Sequence, residues 1–475
     1  MKARFPDEDF LLDNDMAKDL YHDHAEHSPI HDFHCHLPVK DIAEDRQFAS
    51  ITEIWLGGDH YKWRAMRACG IPERLITGDA SDFDKFKAWA EIVPSTIANP
   101  LYLWSHLELK RYFGVSDRLL GPDTAEEVFR TCSEQLSRRD FSVRSLLRRM
   151  SVRVLCTTDD PVDSLEHHRG LAADGTFDVT VVPGFRPDGV MAIEQPLAFN
   201  AWVDRLAAAA GVDISDWGDL IDALHRRHQY FHDNGCRISD HGIEAAYADA
   251  FTESEVGSIF RGAREGKGPD AAHARLFKSA VLRELARMDA EAGWVQQLHI
   301  GALRDINSRF FQSRGPNAGF DTIGDVPLAA SLARFLDALE VRDILPRTVL
   351  YCLNPADNAV LAALAGGFPG EHVRGKVQFG PAWWFNDQPH GIREQLQALA
   401  DIGLLSHFVG MTTDSRSFLS YPRHECFRRV LCSFLGAAVE RGEAPKDRRL
   451  LGGMVRDICF ANAARYFDIP LKTAG

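Results

Sequence analysis

The stretch Ile30-His31-Asp32-Phe33-His34-Cys35-His36, followed by Leu37-Pro38, decides how the rest of the chain is read. A short apolar run ends in two histidines spaced two residues apart. In a β-strand, residues i and i+2 point to the same face. At a strand's C-terminal end, His34 and His36 would converge. Two imidazoles there can hold a divalent metal at Zn–N distances of ~2.0–2.1 Å. The competing reading is two surface histidines in a loop, because His-x-His is common by chance. The remaining sequence weighs between them.

The same kind of segment recurs along the chain. Residues 152–156 lead into Thr157-Thr158-Asp159-Asp160-Pro161, and residues 179–182 into Pro183-Gly184-Phe185-Arg186-Pro187. A weaker run, 236–239, leads into Asp240-His241-Gly242, and 294–298 leads into His299-Ile300-Gly301. Residues 348–353 precede Asn354-Pro355, 376–379 precede Gly380-Pro381, and 407–411 precede Thr412-Thr413-Asp414. Between most of them lie helical patterns, at 328–339, 358–365, 392–399 and 428–438, with apolar residues three and four apart. Strands alternating with helices imply parallel pairing. Eight such units predict an α/β fold, a closed (β/α)8 barrel of the TIM type, with its chemistry at the strand C-termini. An open doubly wound sheet competes, but no Gly-x-Gly-x-x-Gly turn supports a dinucleotide site in it.

Two intervals exceed a simple crossover. Residues 1–37 hold the N-terminal segment and first strand, and 38–150 form a largely helical insertion rich in Trp, Leu and Arg. Residues 151–475 hold the rest of the barrel, with a further helical insertion around 195–290. These insertions either cap the barrel mouth or build a contact in a homo-oligomer. The last helices, about 424–468, put Cys432, Leu435 and Val439 on an apolar face and close the barrel.

Bulk composition narrows the function. The 475 residues are 45% hydrophobic and 26% charged, the profile of a soluble globular protein. A net charge of −14 argues against nucleic acid or an anionic membrane as partner. No run approaches the ~20 apolar residues of a membrane span. The nine cysteines contain no Cys-x-x-Cys pair and suggest no disulfide framework. With no signal peptide visible at residues 1–15, a reducing, cytoplasmic location is expected.

The strand ends supply the chemistry. Asp414 follows the last strand and would lie beside the first once a barrel closes, completing a site with His34 and His36. Alternatively, Asp414 caps a helix through Ser415-Arg416-Ser417. His299 is a third ligand, a substrate contact, or a histidine bonded to a backbone carbonyl. Arg186 and Arg416 leave strand ends over the same mouth, and a guanidinium fork matches carboxylate geometry. Their alternative is a rim ion pair, with Asp159, Asp160 or Asp188 as partner, worth less than ~1 kcal/mol. Gly57-Gly58-Asp59-His60-Tyr61-Lys62-Trp63 is either a lid or, by pattern, a helix start. Trp383-Trp384-Phe385-Asn386-Asp387 either walls a sugar pocket or packs barrel against helix.

These motifs together resemble the uronate isomerase family of the amidohydrolase superfamily. The matching stretches are Asp32-Phe33-His34-Cys35-His36, Asp59-His60-Tyr61-Lys62, Gly184-Phe185-Arg186-Pro187-Asp188, Ser239-Asp240-His241-Gly242 and Gln297-Leu298-His299-Ile300-Gly301. Lys376-Val377-Gln378-Phe379-Gly380, Trp383-Trp384-Phe385-Asn386-Asp387 and Thr413-Asp414-Ser415-Arg416-Ser417-Phe418 continue the series in order. The resemblance implies a distorted barrel with its largest helical insertion after the first strand. It implies an isomerase that interconverts glucuronate with fructuronate and galacturonate with tagaturonate.

By the same resemblance, His34, His36 and Asp414 surround one divalent metal, usually zinc, that binds the uronate. Asp414 starts proton removal, Tyr61 donates to the C1 carbonyl, and Arg416 binds the C2 and C3 hydroxyls. Arg186 neutralises the substrate, His60 and His299 position it, and Trp383 lines its pocket. No lysine stands at the fourth strand to form the carbamate ligand of binuclear relatives. That weakens the first rival, a metal-dependent hydrolase of the superfamily acting on a sugar-acid lactone or amide. The second rival, a non-catalytic sugar-acid binding protein, has no use for a central metal.

Overall fold

The computed structural model describes residues 5–472. β1 (Ile30–Asp32), β2 (Val152–Cys156) and β3 (Thr180–Val182) pair in that order as one parallel sheet. They are followed by β4 (Ile238–Ile243) and β5 (Val295–Ile300). An antiparallel pair, β6 (Ala302–Leu303) and β7 (Thr322–Ile323), comes next, then β8 (Arg347–Cys352) and β9 (Val377–Phe379). β4, β5, β8 and β9 form a second parallel sheet in that order. All six residues of β5 are buried, as expected where both faces of a parallel strand are covered. Helices between consecutive strands of each sheet supply the crossovers that parallel pairing requires.

Single bridges connect the two ladders. Phe185 pairs with Asp159 on one side and Ser239 on the other. Its N–H donates to the Ile238 carbonyl at 3.0 Å, and the Asp240 N–H donates back to the Phe185 carbonyl at 2.9 Å. At the far ends, Asp414 N–H donates to the His34 carbonyl at 3.1 Å and His36 N–H to the Ser415 carbonyl at 2.9 Å. The segment after β9 thus lies against the chain that leaves β1.

The strand expected at 407–411 does not form. Leu405–His407 is a 3-10 turn, and Gly410 sits at φ +80°, where a Cβ would collide with the Ile458 carbonyl. Side chains replace the ladder. Asp32 accepts hydrogen bonds from Thr412 Oγ1 (2.7 Å), Thr413 N (2.7 Å) and Thr413 Oγ1 (2.6 Å). The fourth strand, expected at 236–239, instead runs through Ser239, Asp240 and His241 to Ile243. Its polar residues read as a loop in sequence but are paired in the interior. Ser239 Oγ donates to Asp289 Oδ2 at 2.5 Å, and Asp289 also holds His228 at 3.0 Å.

The intervals between strands fold as helices whose apolar clusters are continuous with strand residues such as Ile30, Val152 and Leu155. Trp55, Trp89 and Phe86 are buried among the helices between β1 and β2. Phe199, Trp202, Phe260 and Phe277 form a cluster between β3 and β5. Local signals set the helix ends. Asp216 and Asp219 make a capping box for Trp217–Asp233, and Gly293 at φ +69° ends Ala271–Ala292. The C-terminal helices Pro422–Glu440 and Arg448–Arg456 bury Cys432, Leu435 and Val455 against the main core. All nine cysteines are free. No helix among the described residues is long and apolar enough to cross a membrane.

Candidate active site

β1 ends at Asp32, so His34 and His36 lie beyond the strand, in the extended chain that follows. They nevertheless converge, with ring centroids 5.0 Å apart at 84°. Their meeting point is Asp414: His34 Nε2 lies 3.1 Å and His36 Nε2 3.0 Å from the same oxygen, Oδ1. Asp414 has φ +45°, a left-handed conformation costly for a non-glycine residue and one that recurs at functional sites. It caps no helix; the next one, Pro422–Glu440, begins eight residues later. The indole N–H of Trp383 donates to its other oxygen, Oδ2, at 2.8 Å.

Behind this cluster stands Asp240, from β4. His299 Nδ1 contacts its Oδ1 at 2.6 Å, and Arg186 Nη1 donates to its Oδ2 at 2.8 Å. The His34 ring packs 4.5 Å from the ring of His299, with Nδ1 3.9 Å from Asp240 Oδ2. With its Nδ1 committed to Asp240, the buried Nε2 of His299 has no hydrogen-bond partner. A histidine fixed in this way presents its second nitrogen as a lone pair. Tyr351 stacks on its ring at 4.0 Å and holds it in place.

The charges follow from burial and neighbours. Burial opposes the charge of Asp414, yet hydrogen bonds from His34 and His36 hold its carboxyl well below the usual range. Desolvation pushes His36 down to about 4. Burial also opposes protonation of His34, but Asp240 and Asp414 together raise it above the usual imidazole value. Desolvation pushes His60 down to about 4, with Arg416 acting in the same direction.

Donor atoms of His34, His36 and Asp414 lie within 4.8 Å of one another. Two imidazoles and a carboxylate are a ligand set suited to a divalent transition metal. The unpartnered Nε2 of the adjacent His299 is a further polar atom still requiring a contact. A second group, His34, Asp240 and His299, meets the same distance criterion. Its carboxylate is already neutralised by Arg186, which leaves little electrostatic reason for a cation there.

A cavity of about 360 Å³ opens over the cluster. His34, His36, Asp414, His299, Arg186 and Trp383 line it, as do His60 and Arg416. Tyr61 does not. It faces a narrow cleft of about 10 Å³, room for roughly one water, shared with Asp414, Arg416 and Arg423. Gly57–Trp63 leads into the helix His60–Ala68, capped by Asp59, whose carboxylate also pairs with buried Lys62 at 2.5 Å. Arg186 pairs with Asp188 at 2.7 Å as well as with Asp240. Asp159 and Asp160 take other partners: Thr157 and the Gly184 N–H for Asp159, and Trp202 for Asp160. Among the described residues, no carboxylate lies within ion-pair distance of Arg416.

Arg304, Asp305, Asn317 and Asp321 also line the cavity, and sequence reading passed over them. They belong to an excursion between β5 and the helix Ala329–Glu340 that contains β6, β7 and the helix Ser308–Arg314. It docks on His60–Ala68. Arg64 donates to the Asp321 carbonyl at 2.8 Å and Arg67 to the Ala318 carbonyl at 2.5 Å, with the Arg67 guanidinium 4.5 Å from the Phe320 ring centre. Its length was the available signal, because strand-to-helix loops in such folds usually take about 2–6 residues.

The chain is similar over nearly its whole length to proteins of one family. The family model for glucuronate isomerase matches residues 1–467. The uronate isomerase of Yersinia enterocolitica is 51% identical over 469 residues, 99% of this chain and 100% of the relative. The uronate isomerase structure from Thermotoga maritima superposes with a TM-score of 0.92 at 34% identity, covering 98% of this chain and 100% of the other. The glucuronate isomerase of Caulobacter crescentus gives 0.91 at 26% identity, covering 98% of each chain. The chain therefore belongs to the glucuronate isomerase family.

Proposed function

We propose that this protein interconverts aldouronates and ketouronates, glucuronate with fructuronate and galacturonate with tagaturonate, by moving a proton between C2 and C1 through a cis-enediol. One observation carries the reading: a single carboxylate, Asp414, meets two imidazoles and an indole N–H at the floor of a cavity edged by arginines. Around it we read a distorted (β/α)8 barrel, with residues 38–150 and 195–290 as helical insertions. The Phe185 bridges and the backbone bonds between His34 and Asp414 support closure.

The C2 hydrogen of an aldose is weakly acidic, so a base must reach it. Asp414 takes that role in our reading, its carboxylate kept ionised by its two histidine contacts. Charge developing on the C1 oxygen needs a donor. Tyr61 supplies it, reaching through the small cleft it shares with Asp414 and Arg416. Arg416, free of a carboxylate partner, binds the C2 and C3 hydroxyls. Arg186 contributes positive charge toward the uronate, while His60, His299 and Trp383 orient the sugar. His34, His36 and Asp414 would hold one divalent cation, zinc by the resemblance, which supplies Lewis-acid charge for the substrate carboxylate and a neighbouring hydroxyl.

A colorimetric ketouronate assay with glucuronate and galacturonate, before and after chelation, tests the reading. Ketose should form without consumption of water, stop on chelation and return with added zinc. Asp414→Asn should stop transfer of the C2 hydrogen to C1 while circular dichroism stays unchanged. Near-normal turnover in that variant would overturn the base assignment.

A further inference from the structure

A second cavity, of about 390 Å³, lies at the opposite ends of the strands. It forms where β8 begins, at Arg347, and beside the loop that precedes β9. A six-residue strand spans about 20 Å. His299 and Trp383 stand at the other ends of this sheet, so the two cavities face away from each other. Arg347, Arg374 and Arg465 line the second one, with His372, His407 and Tyr466.

Its positive charge is poorly compensated. Among the described residues, Arg465 pairs with Asp457 at 3.1 Å and exposed His372 lies 3.8 Å from Glu371. Neither Arg347 nor Arg374 has a carboxylate within ion-pair distance. Arg347 is held rigidly instead. It donates to the Tyr466 carbonyl and, at 2.6 Å, to the Gly293 carbonyl, with its guanidinium 5.8 Å from the Tyr466 ring centre. Tyr466 is fixed in turn by its hydroxyl, which donates to the Lys376 carbonyl at 2.8 Å. A pre-positioned guanidinium thus stands flanked by two exposed ones in a chain whose net charge is −14.

We infer that this cavity is a second ligand site, distinct from the catalytic one, for a small metabolite bearing an oxyanion group, a phosphate ester or a polycarboxylate. Guanidinium groups bind both kinds of anion through paired, parallel N–H donors. The volume exceeds that of a bare ion and suits a molecule the size of a monosaccharide. Arg347 forms the fixed floor, while Arg374 and Arg465 close on the anion from the rim.

Titration calorimetry on the metal-loaded protein, with inorganic phosphate and with succinate at fixed ionic strength, tests this. Wild type should show one saturable event with at least one of the two anions, and Arg186→Met, altered in the catalytic cavity, should retain it. The double variant Arg374→Ala/Arg465→Ala should lose about tenfold or more in affinity per arginine. Its ketouronate formation without added anion should match wild type. Both side chains are exposed, so the variant should fold, which circular dichroism checks. A saturable event with phosphate alone identifies a phosphate ester as the occupant, and with succinate alone a polycarboxylate. No saturable event, or unchanged affinity in the double variant, overturns the inference. So does loss of the event in Arg186→Met, which assigns the anion to the catalytic cavity.

Discussion

Trp383 and Asp414 come from separate stretches of chain, yet the indole N–H meets Asp414 Oδ2 at 2.8 Å while both histidines contact Oδ1. The two carboxylate oxygens thus have different duties. One faces the imidazoles; the other is oriented by an aromatic residue that also lines the cavity.

Trp383→Phe keeps the apolar bulk and removes that donor. A hydrogen bond to a charged acceptor contributes about 1.5–3 kcal/mol, so turnover should fall by roughly tenfold to a hundredfold. Steady-state kinetics on uronates checks this, with the urea unfolding midpoint as control. An unchanged kcat would mean that Asp414 needs no orienting partner.

Asp32 joins β1 to the 412–414 segment through three hydrogen bonds. Asp32→Ala leaves the Thr413 N–H and hydroxyl buried and unpaired, while Thr412 keeps the His34 carbonyl, at a cost of about 2 kcal/mol or more. Asp32→Asn, which keeps an acceptor, should lose less. Urea unfolding gives the stabilities, and a zinc titration should show weakened binding in both variants, because Asp414 is positioned from Thr413.

Asp159 is a buried carboxyl whose pKa burial pushes up to about 7, against 3.8 for an ordinary aspartate. The folded state therefore binds a proton that the unfolded state has released between these two values. In that window stability falls as pH rises, by about 1.4 kcal/mol per unit for one proton. Asp159→Asn should flatten that contribution from about pH 4 to pH 7. Unfolding free energies measured across the range decide it; an unaltered slope would show that Asp159 ionises normally.

Arg67 bonds the Ala318 carbonyl, covers Phe320 and pairs with Glu73. Arg67→Met should loosen the excursion over the cavity mouth. Amide exchange should rise at least about tenfold for residues 317–322, since one part-buried charge-assisted bond contributes about 1.5 kcal/mol or more. Exchange at residues 412–415, which Arg67 does not touch, should stay the same.

Much of the architecture was legible in local pattern. The runs near 152–156, 294–298, 348–353 and 376–379 overlap β2, β5, β8 and β9, because strands covered on both faces draw heavily on Val, Leu, Ile, Phe and Cys, although β5 also buries Gln296, Gln297 and His299. The polar fourth strand was misplaced for the converse reason. Ser239 and Asp240 can be interior strand residues because Asp289 satisfies the first and Arg186 and His299 the second, all from elsewhere in the fold.

The sequence alone determined the order of the seven parallel strands and the residue types gathered at their ends, since both depend on short-range periodicity and chemistry. Tertiary structure decided which of those residues share an atom's neighbourhood. It brought His34, His36 and Asp414 to one point beyond any regular strand, set Tyr61 back in its own cleft, and laid the 301–325 excursion over the mouth. Contacts across hundreds of residues depend on how buried polar groups find partners as the interior closes, and no local window of sequence contains both halves of such a pair.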